Sequence, residues 1–278
     1  MTNPAPSTDE LEGRALYGDN FSPEQIRRWY DTEINGYFDI LSKHYQITDS
    51  DNQYEYEYQA FNRFHAINAL LKHRFGTCLA LGCAAGDDVA PLAPAVDRFV
   101  AVEPAEKWWK SEIGGKPAQY LAPSPFGDIG LDSASVDLAV SFGVLHHIPN
   151  VSHVIDEISR VLAPDGLLVV REPIVSMGDW RHPRPALTAN ERGLPMDWFE
   201  AIARAKGFAI KSRHVCMFNP LAIVMKKLGV SKPMASTPFV ALDWLVSEAL
   251  RWNIHYWRNT TVKKLAPSSA FWVLRKTT

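Results

Sequence analysis

The chain has 278 residues, 46% hydrophobic and 22% charged, with a net charge of −2, three cysteines and nine tryptophans. That length suffices for one α/β domain with additions, and the composition excludes a disordered, fibrous or disulfide-stapled protein. The first residues lack the basic and apolar regions of a signal peptide, and no window of about 18 uncharged apolar residues occurs, so the expected location is a reducing cytoplasm.

The first dozen residues, dominated by Pro, Ser, Thr and acids, are expected to lack structure. Ile26, Trp29, Tyr30, Ile34, Tyr37, Phe38 and Leu41 recur at helical spacing, which predicts a helix over 21–48 capped by Ser22 and opened by Pro23. A second helix is expected over 55–73, so that residues 1–74 form an amino-terminal helical cap, in which His65 and Arg63 read as a polar face. Strands are expected at 77–81, 98–102, 118–121, 136–141 and 166–171, with helices over 87–92 and 151–162 among them. After Pro173 come a helix over 196–206, a stop at Gly207, an alternating strand over 208–215 and a last strand over 271–275. Strands alternating with helices predict a parallel sheet with helices on both faces.

This organisation divides the chain into the cap, a core over 75–215, an insertion over 216–269 and a final strand over 270–278. The insertion holds Met225 to Leu228, a turn near Lys232 and Pro233, and an aromatic helical stretch over 239–257, and is too charged to cross a bilayer. Residues 1–60 carry 12 acids and 4 bases, whereas residues 211–278 carry 11 bases and 2 acids, so the two ends set up opposite fields.

The most telling stretch is Cys78 to Asp88 followed by Phe99 to Pro104. An apolar strand ends at Gly82, small residues keep the next turn free of side chains, and a second strand ends at Glu103, about 20 residues on, where a carboxylate can accept both hydroxyls of a ribose. Two further runs, Ser135 to Pro149 and Arg160 to Pro173, complete an ordered set of motifs. Together these resemble the class I S-adenosylmethionine-dependent methyltransferases, closely over 77–173 and loosely in the flanks.

The resemblance implies an α/β, seven-stranded, doubly wound Rossmann-like sheet whose last strand is inserted antiparallel, here after the insertion. It implies S-adenosyl-L-methionine as cofactor, with Gly82, Cys83, Ala84 and Gly86 along its methionine moiety, Glu103 on the ribose and Pro104 beside the adenine. Asp128 is the candidate for the adenine amino group, although the family's position falls nearer 124–126, and Ser141, Phe142 and Gly143 form the floor between cofactor and acceptor. The chain departs from the family at Ala80, where an acid usually precedes the turn, and at Ala84, which replaces the central glycine. Asp87 or the carbonyls of Gly82 and Ser141 are left to meet the cofactor's ammonium.

Methyl transfer is an in-line displacement that needs positioning and, for a hydroxyl acceptor, removal of a proton. His146 and His147 sit in a motif shared across unrelated acceptors and read as structural or cofactor-contacting rather than as a general base, and Asp137 reads as structural. Glu172 and His182 are the candidate proton acceptors, and Arg171, Arg181 and Arg184 the candidate clamps for a carboxylate or phosphate. Trp244, Trp252, Tyr256 and Trp257 alternate with Arg251, Arg258, Lys263 and Lys264, a composition that suits packing, sugar stacking or contact with a membrane surface.

The expected activity is transfer of a methyl group to a small-molecule, glycan or lipid-linked acceptor, with no metal and no nucleic acid. A nicotinamide-dependent oxidoreductase predicts a Gly-x-Gly-x-x-Gly turn, which Gly82 to Gly86 is not. A catalytically inactive binding subunit and a macromolecular acceptor are the remaining alternatives.

Overall fold

The computed structural model describes residues 4–44, 56–184 and 187–277. Its strands are β1 (Phe75–Leu81), β2 (Val96–Val102), β3 (Glu112–Ile113), β4 (Lys116–Leu121), β5 (Val136–Phe142), β6 (Leu162–Pro173), β7 (Phe208–Cys216) and β8 (Ser269–Lys276). They form one sheet in the order β3-β4-β2-β1-β5-β6-β8-β7. The central strands are parallel, and β8 runs antiparallel to both β6 and β7.

The sheet has eight strands among the described residues instead of the seven expected. The addition is β3, a two-residue edge strand that turns through Gly114 and Gly115, both at positive φ, to pair with β4. A Gly-Gly pair between short strands supplies the two left-handed residues of such a hairpin.

Every β1 residue except Gly76 is buried, as a strand covered on both faces must be. One layer packs the helices Val151–Val161 and Met196–Ala205 on the sheet through Ile155, Ile158, Phe199 and Trp272. The other packs the 59–70 segment and an insertion helix through Phe61, Ile67, Phe239 and Phe271. Asp137, read as structural, accepts hydrogen bonds from the Gly76 and Thr77 N–H groups at 2.9 Å and ties β5 to the start of β1.

The helix expected over 87–92 is absent, and a turn leads into a 3-10 segment, Ala90–Ala95. Pro91 and Pro94 remove the backbone donors that an α-helix would use and disfavour the α conformation of the residues before them. The long first helix runs over Pro23–His44, and 45–48 lie outside the described residues, as does position 55 of the second expected helix. From 59 that second helix is a chain of short pieces, Gln59–Asn62, a π turn over Arg63–Ile67, and Asn68–Leu70. His65 is not on a polar face: it is buried against Phe61 and Phe271 with neither ring nitrogen bonded, and burial drags its pKa to about 3.

The amino-terminal residues also differ from expectation, because Thr8–Glu12 form a helical turn closed by a reciprocal capping box between Ser7 and Glu10. In the insertion, helices run over Asn219–Lys227, Thr237–Ala249 and Thr261–Lys264. The aromatic helix ends at Ala249, not 257, and the Asn253 side chain instead binds the carbonyls of Val262 and Leu265. Trp244, Tyr256 and Trp257 pack against neighbouring rings, whereas Trp252 is 74% exposed.

Candidate active site

Leu81 pairs with Val102 on one side and Ser141 on the other, so β1, β2 and β5 end level with one another. A parallel sheet opens a crevice where connections leave its carboxyl edge in opposite directions. A cavity fills that crevice, walled by Leu81, Gly82, Val102, Glu103, Pro104 and Gly143. The loop over 123–129 closes one end, and Tyr30, Glu33, Ile34 and Tyr37 of the long first helix form the roof.

The glycine turn is shaped by close approach. A Cβ on Gly82 would lie 2.6 Å from Val144, and one on Gly86 would lie 2.6 Å from Ile113. Ala84, between them, holds φ +46, a left-handed conformation in which an L side chain is strained. Its N–H donates to Glu103 Oε2 at 2.9 Å, and Tyr120 Oη donates to its carbonyl at 3.0 Å.

The Ala105 N–H donates to Glu103 Oε1 at 3.0 Å. Glu103 is thus fixed by two backbone donors, and each of its oxygens keeps a lone pair for a further donor. Burial pushes its carboxyl pKa up, against the pull of those two bonds.

Of the residues expected to touch cofactor, Gly82, Glu103, Pro104, Asp128 and Gly143 line the cavity. Asp128 is more than half exposed and engages His153 Nε2 at 2.9 Å and the Ser124 hydroxyl at 3.0 Å. Cys83 turns its side chain into the core instead, where burial pushes its thiol pKa well up. Ser141 and Phe142 are likewise buried beneath the floor rather than facing the cavity, and the Ser141 hydroxyl lacks a partner. The buried Asp88, whose pKa burial raises to about 7, also has an unbonded oxygen.

The acceptor side departs from expectation. Glu172 does not face open space: it is buried and accepts hydrogen bonds from the Val144 and Leu145 N–H groups at 2.8 Å and from His146 Nδ1 at 2.7 Å. It holds the turn after β5. Arg171 is also buried, donating to Asn62 Oδ1 at 2.9 Å, Tyr56 Oη at 3.1 Å and the Phe142 carbonyl at 3.2 Å, because residues 56–62 cover this end of β6.

Arg184 donates to the carbonyls of Met177, Glu191, Thr188 and Ala189 and braces its own loop. His182 lies on the surface, three-quarters exposed, and the Arg181 fork is occupied by Asp179. Neither lines the cavity.

Across the cavity from Glu103, two titratable groups pair directly, His147 and Glu33. Trp29 Nε1 donates to the His147 carbonyl at 2.7 Å, which registers the first helix so that Glu33, one turn on, lies 2.9 Å from His147 Nδ1. Asn190 N–H donates to Glu33 Oε1 at 2.9 Å, and Thr188 Oγ1 donates to Glu33 Oε2 at 2.5 Å. Burial pulls the His147 pKa down, but Glu33, Glu191 and Glu172 outweigh it and the net shift is upward. Burial raises Glu33, yet its hydrogen bonds hold it below the usual carboxylate range.

His146, His147 and Glu191 bring ligand atoms within 4.8 Å of one another, but Nδ1 of each imidazole is already taken by a carboxylate. Arg192, fully buried, fixes the same turn through the carbonyls of Tyr17, His146, Ile148 and Pro149.

Residues 79–170, which hold the strands beneath this cavity, match the family described as methyltransferase domain. The match takes in roughly a third of the chain, so the similarity to a methyltransferase domain is one of this core. The structure of the N-methyltransferase NodS from Bradyrhizobium japonicum, in complex with S-adenosylhomocysteine, is 15% identical with a TM-score of 0.51 and covers 89% of this chain and 100% of its own. A 1,6-didemethyltoxoflavin N1-methyltransferase from Burkholderia thailandensis is 15% identical with a TM-score of 0.54, covering 93% of this chain and 92% of its own. The [4+2]-cyclase SpnF shares the fold at 16% identity and a TM-score of 0.53, covering 91% and 96%.

At such identities the likeness is one of fold. A 37.1 kDa protein in a transposon of Streptomyces fradiae is 29% identical over 110 residues, 37% of this chain and 30% of that protein, so the match spans under a third of the relative. No helix among the described residues is long and apolar enough to cross a membrane.

Sequence reading missed the pair that meets in the cavity, Glu33 from the cap and His147 from the core. Glu33 falls on the helix face marked by Ile26, Trp29, Tyr30 and Tyr37, so an acid on an otherwise apolar stripe was the available signal. His147 carried no comparable mark, since what distinguishes it from His146 is only which imidazole faces Glu33.

Proposed function

We propose that this chain transfers the methyl group of S-adenosylmethionine to the hydroxyl or amine of a small or glycan-type acceptor, with His147 as proton acceptor. One cavity has Glu103 and the glycine turn on one wall and the Glu33–His147 pair on another, and that juxtaposition carries the reading. The residues suit the cofactor. Glu103 keeps two lone pairs for ribose hydroxyls, Gly82 and Gly143 let backbone approach, and Leu81, Val102, Pro104 and Ile129 offer apolar surface to a base.

When bound, the cofactor supplies an electrophilic methyl on a sulfonium. The chain's part is positioning and proton removal. His147 lines the cavity, is about one-third exposed, and has no hydrogen bond on Nε2 among the described residues, so that nitrogen is free to take a proton from an acceptor. Glu33 fixes the tautomer through Nδ1 and stabilises the imidazolium that forms, while Thr188 and Asn190 hold Glu33 in place. Tyr30, Ile34 and Tyr37 roof the cavity with aromatic and apolar surface.

The test combines tritium transfer from labelled S-adenosylmethionine into fractionated small-molecule and glycan pools with calorimetry on S-adenosylhomocysteine. His147→Gln is expected to retain product binding and to lose about 100-fold or more in turnover. Turnover by His147→Gln equal to the wild type would remove the proton acceptor. Failure of the wild type to bind S-adenosylhomocysteine would remove the reading entirely.

A further inference from the structure

The segment after β6 and the chain leading back into β8 enclose a second cavity. Asp179, Arg181, Trp257, Arg258, Asn259 and Lys264 contribute to its walls. Its charges are unbalanced. Arg181 is spoken for, since Asp179 takes its Nε and Nη2 at 2.7 Å each and its Cζ lies 5.6 Å from the centroid of the Trp257 ring.

Arg258 is different. It is half-buried, its Nη2 donates to the Pro267 carbonyl, its Nε is buried without a partner, and no carboxylate pairs with it among the described residues. Burial lowers its pKa to about 10, and no neighbouring anion offsets that. Lys264, at the end of the last insertion helix, is exposed and pairs with no acid among the described residues.

Partly desolvated cations are normally matched by a carboxylate or by a bound anion. Among the described residues an acid sits beside Arg181 and none beside Arg258 or Lys264.

We propose that this cavity binds a phosphate group, held by the Arg258 guanidinium and the Lys264 ammonium with Asn259 at its edge. Arginine suits the role because its donors match phosphate oxygens in a fork, and lysine adds a compact charge. The phosphate has two sources of the same chemistry, a soluble phosphate ester or an anionic lipid headgroup.

The surroundings keep the second source in play. Among the described residues, nine of the eleven exposed large apolar side chains lie between 223 and 265, including Leu228, Trp252 and Val262 at 73%, 74% and 65% exposure. Exposed lysines 226, 227 and 264 lie among them in sequence. Asn253 ties the segment carrying Trp252 to the helix carrying Val262 and Lys264. Apolar side chains beside unpaired lysines are the pattern of a surface that meets anionic lipid.

The site stands apart from the methyl-transfer cavity, so its test does not depend on turnover. Full-length protein is titrated calorimetrically with inorganic pyrophosphate at constant ionic strength, and separately sedimented with vesicles of phosphatidylcholine alone or mixed with phosphatidylglycerol. The wild type is expected to bind pyrophosphate, the mixed vesicles, or both. Arg258→Gln and Lys264→Gln are each expected to weaken that binding about tenfold or more while leaving S-adenosylhomocysteine affinity unchanged.

Binding of pyrophosphate identifies a soluble phosphate, and binding confined to mixed vesicles identifies a headgroup. The site is overturned if the wild type binds neither probe, or if the variants bind as tightly as the wild type. Should Arg258→Gln fail to fold, Lys264→Gln decides, because that side chain is exposed. A wild type that binds pyrophosphate but not S-adenosylhomocysteine would uphold this site and remove the proposed function.

Discussion

Replacing Glu172 separates a residue that performs chemistry from one that builds the site. Its carboxylate accepts two backbone N–H groups at 2.8 Å and the His146 imidazole at 2.7 Å, all within the turn that follows β5. Truncation to alanine leaves those donors buried without partners. Each of the three orphaned donors costs about 1–3 kcal/mol, so Glu172→Ala is expected to lose about 3–9 kcal/mol, a large part of a typical domain's stability. For a domain of this size about 1 kcal/mol moves Tm by about 2–4 °C, which places the expected fall at about 6 °C or more.

Glu172→Gln keeps one oxygen for the backbone donors and loses only the charge-assisted bond to His146, so its fall is expected to be a fraction of that. The assay is thermal unfolding by circular dichroism, run beside calorimetric binding of S-adenosylhomocysteine. A Glu172→Ala protein with unchanged Tm and product affinity but abolished turnover would refute this reasoning and return Glu172 to the role of proton acceptor.

Further outcomes follow from the same geometry. Ala84 holds φ +46, so Ala84→Gly trades relief of left-handed strain against added chain entropy and is expected to stay within about 1 kcal/mol of the wild type, whereas Ala84→Val costs about 2 kcal/mol. Equal melting temperatures for all three proteins would contradict the turn.

The pKa of His147 is raised chiefly by Glu33 and Glu191 against the opposing effect of burial, and a proton acceptor works only when neutral. The acid limb of kcat/KM therefore lies above the ordinary histidine value and moves to lower pH in Glu33→Gln, with a lower plateau. A limb that does not move removes Glu33 from the pair. The stability that protonated His147 gains from Glu33 is complete below its unfolded pKa and is lost as pH rises through the folded value, so the Tm difference between wild type and Glu33→Gln narrows above neutrality.

The sheet was legible because its strands are short apolar runs buried on both faces, bounded by turn residues, and the final antiparallel strand announced itself as Phe271–Arg275. The helix after β1 was misread because the family pattern outweighed Pro91 and Pro94, whose missing donors decide the local structure. Position along the chain was enough to place Glu103 and Gly82 in the cavity, since both sit where strands end. It was not enough for Glu172, Arg171 or His182. Whether the side chain at a strand tip faces a cavity or a neighbouring loop depends on what covers it, and residues 56–62 and 144–146 are the covers here. Glu33 was hidden for the converse reason, as it reaches the cavity from a helix more than 100 residues away from His147 in sequence.

The most direct measurement is a crystal structure of the full chain with S-adenosylhomocysteine, paired with calorimetry on wild type and Glu103→Ala. The account predicts the ribose hydroxyls within hydrogen-bond distance of both Glu103 oxygens, the nucleoside against Pro104 and the 123–129 loop, and at least about tenfold weaker binding by Glu103→Ala. A nucleoside bound elsewhere, or equal affinity in the two proteins, would contradict it.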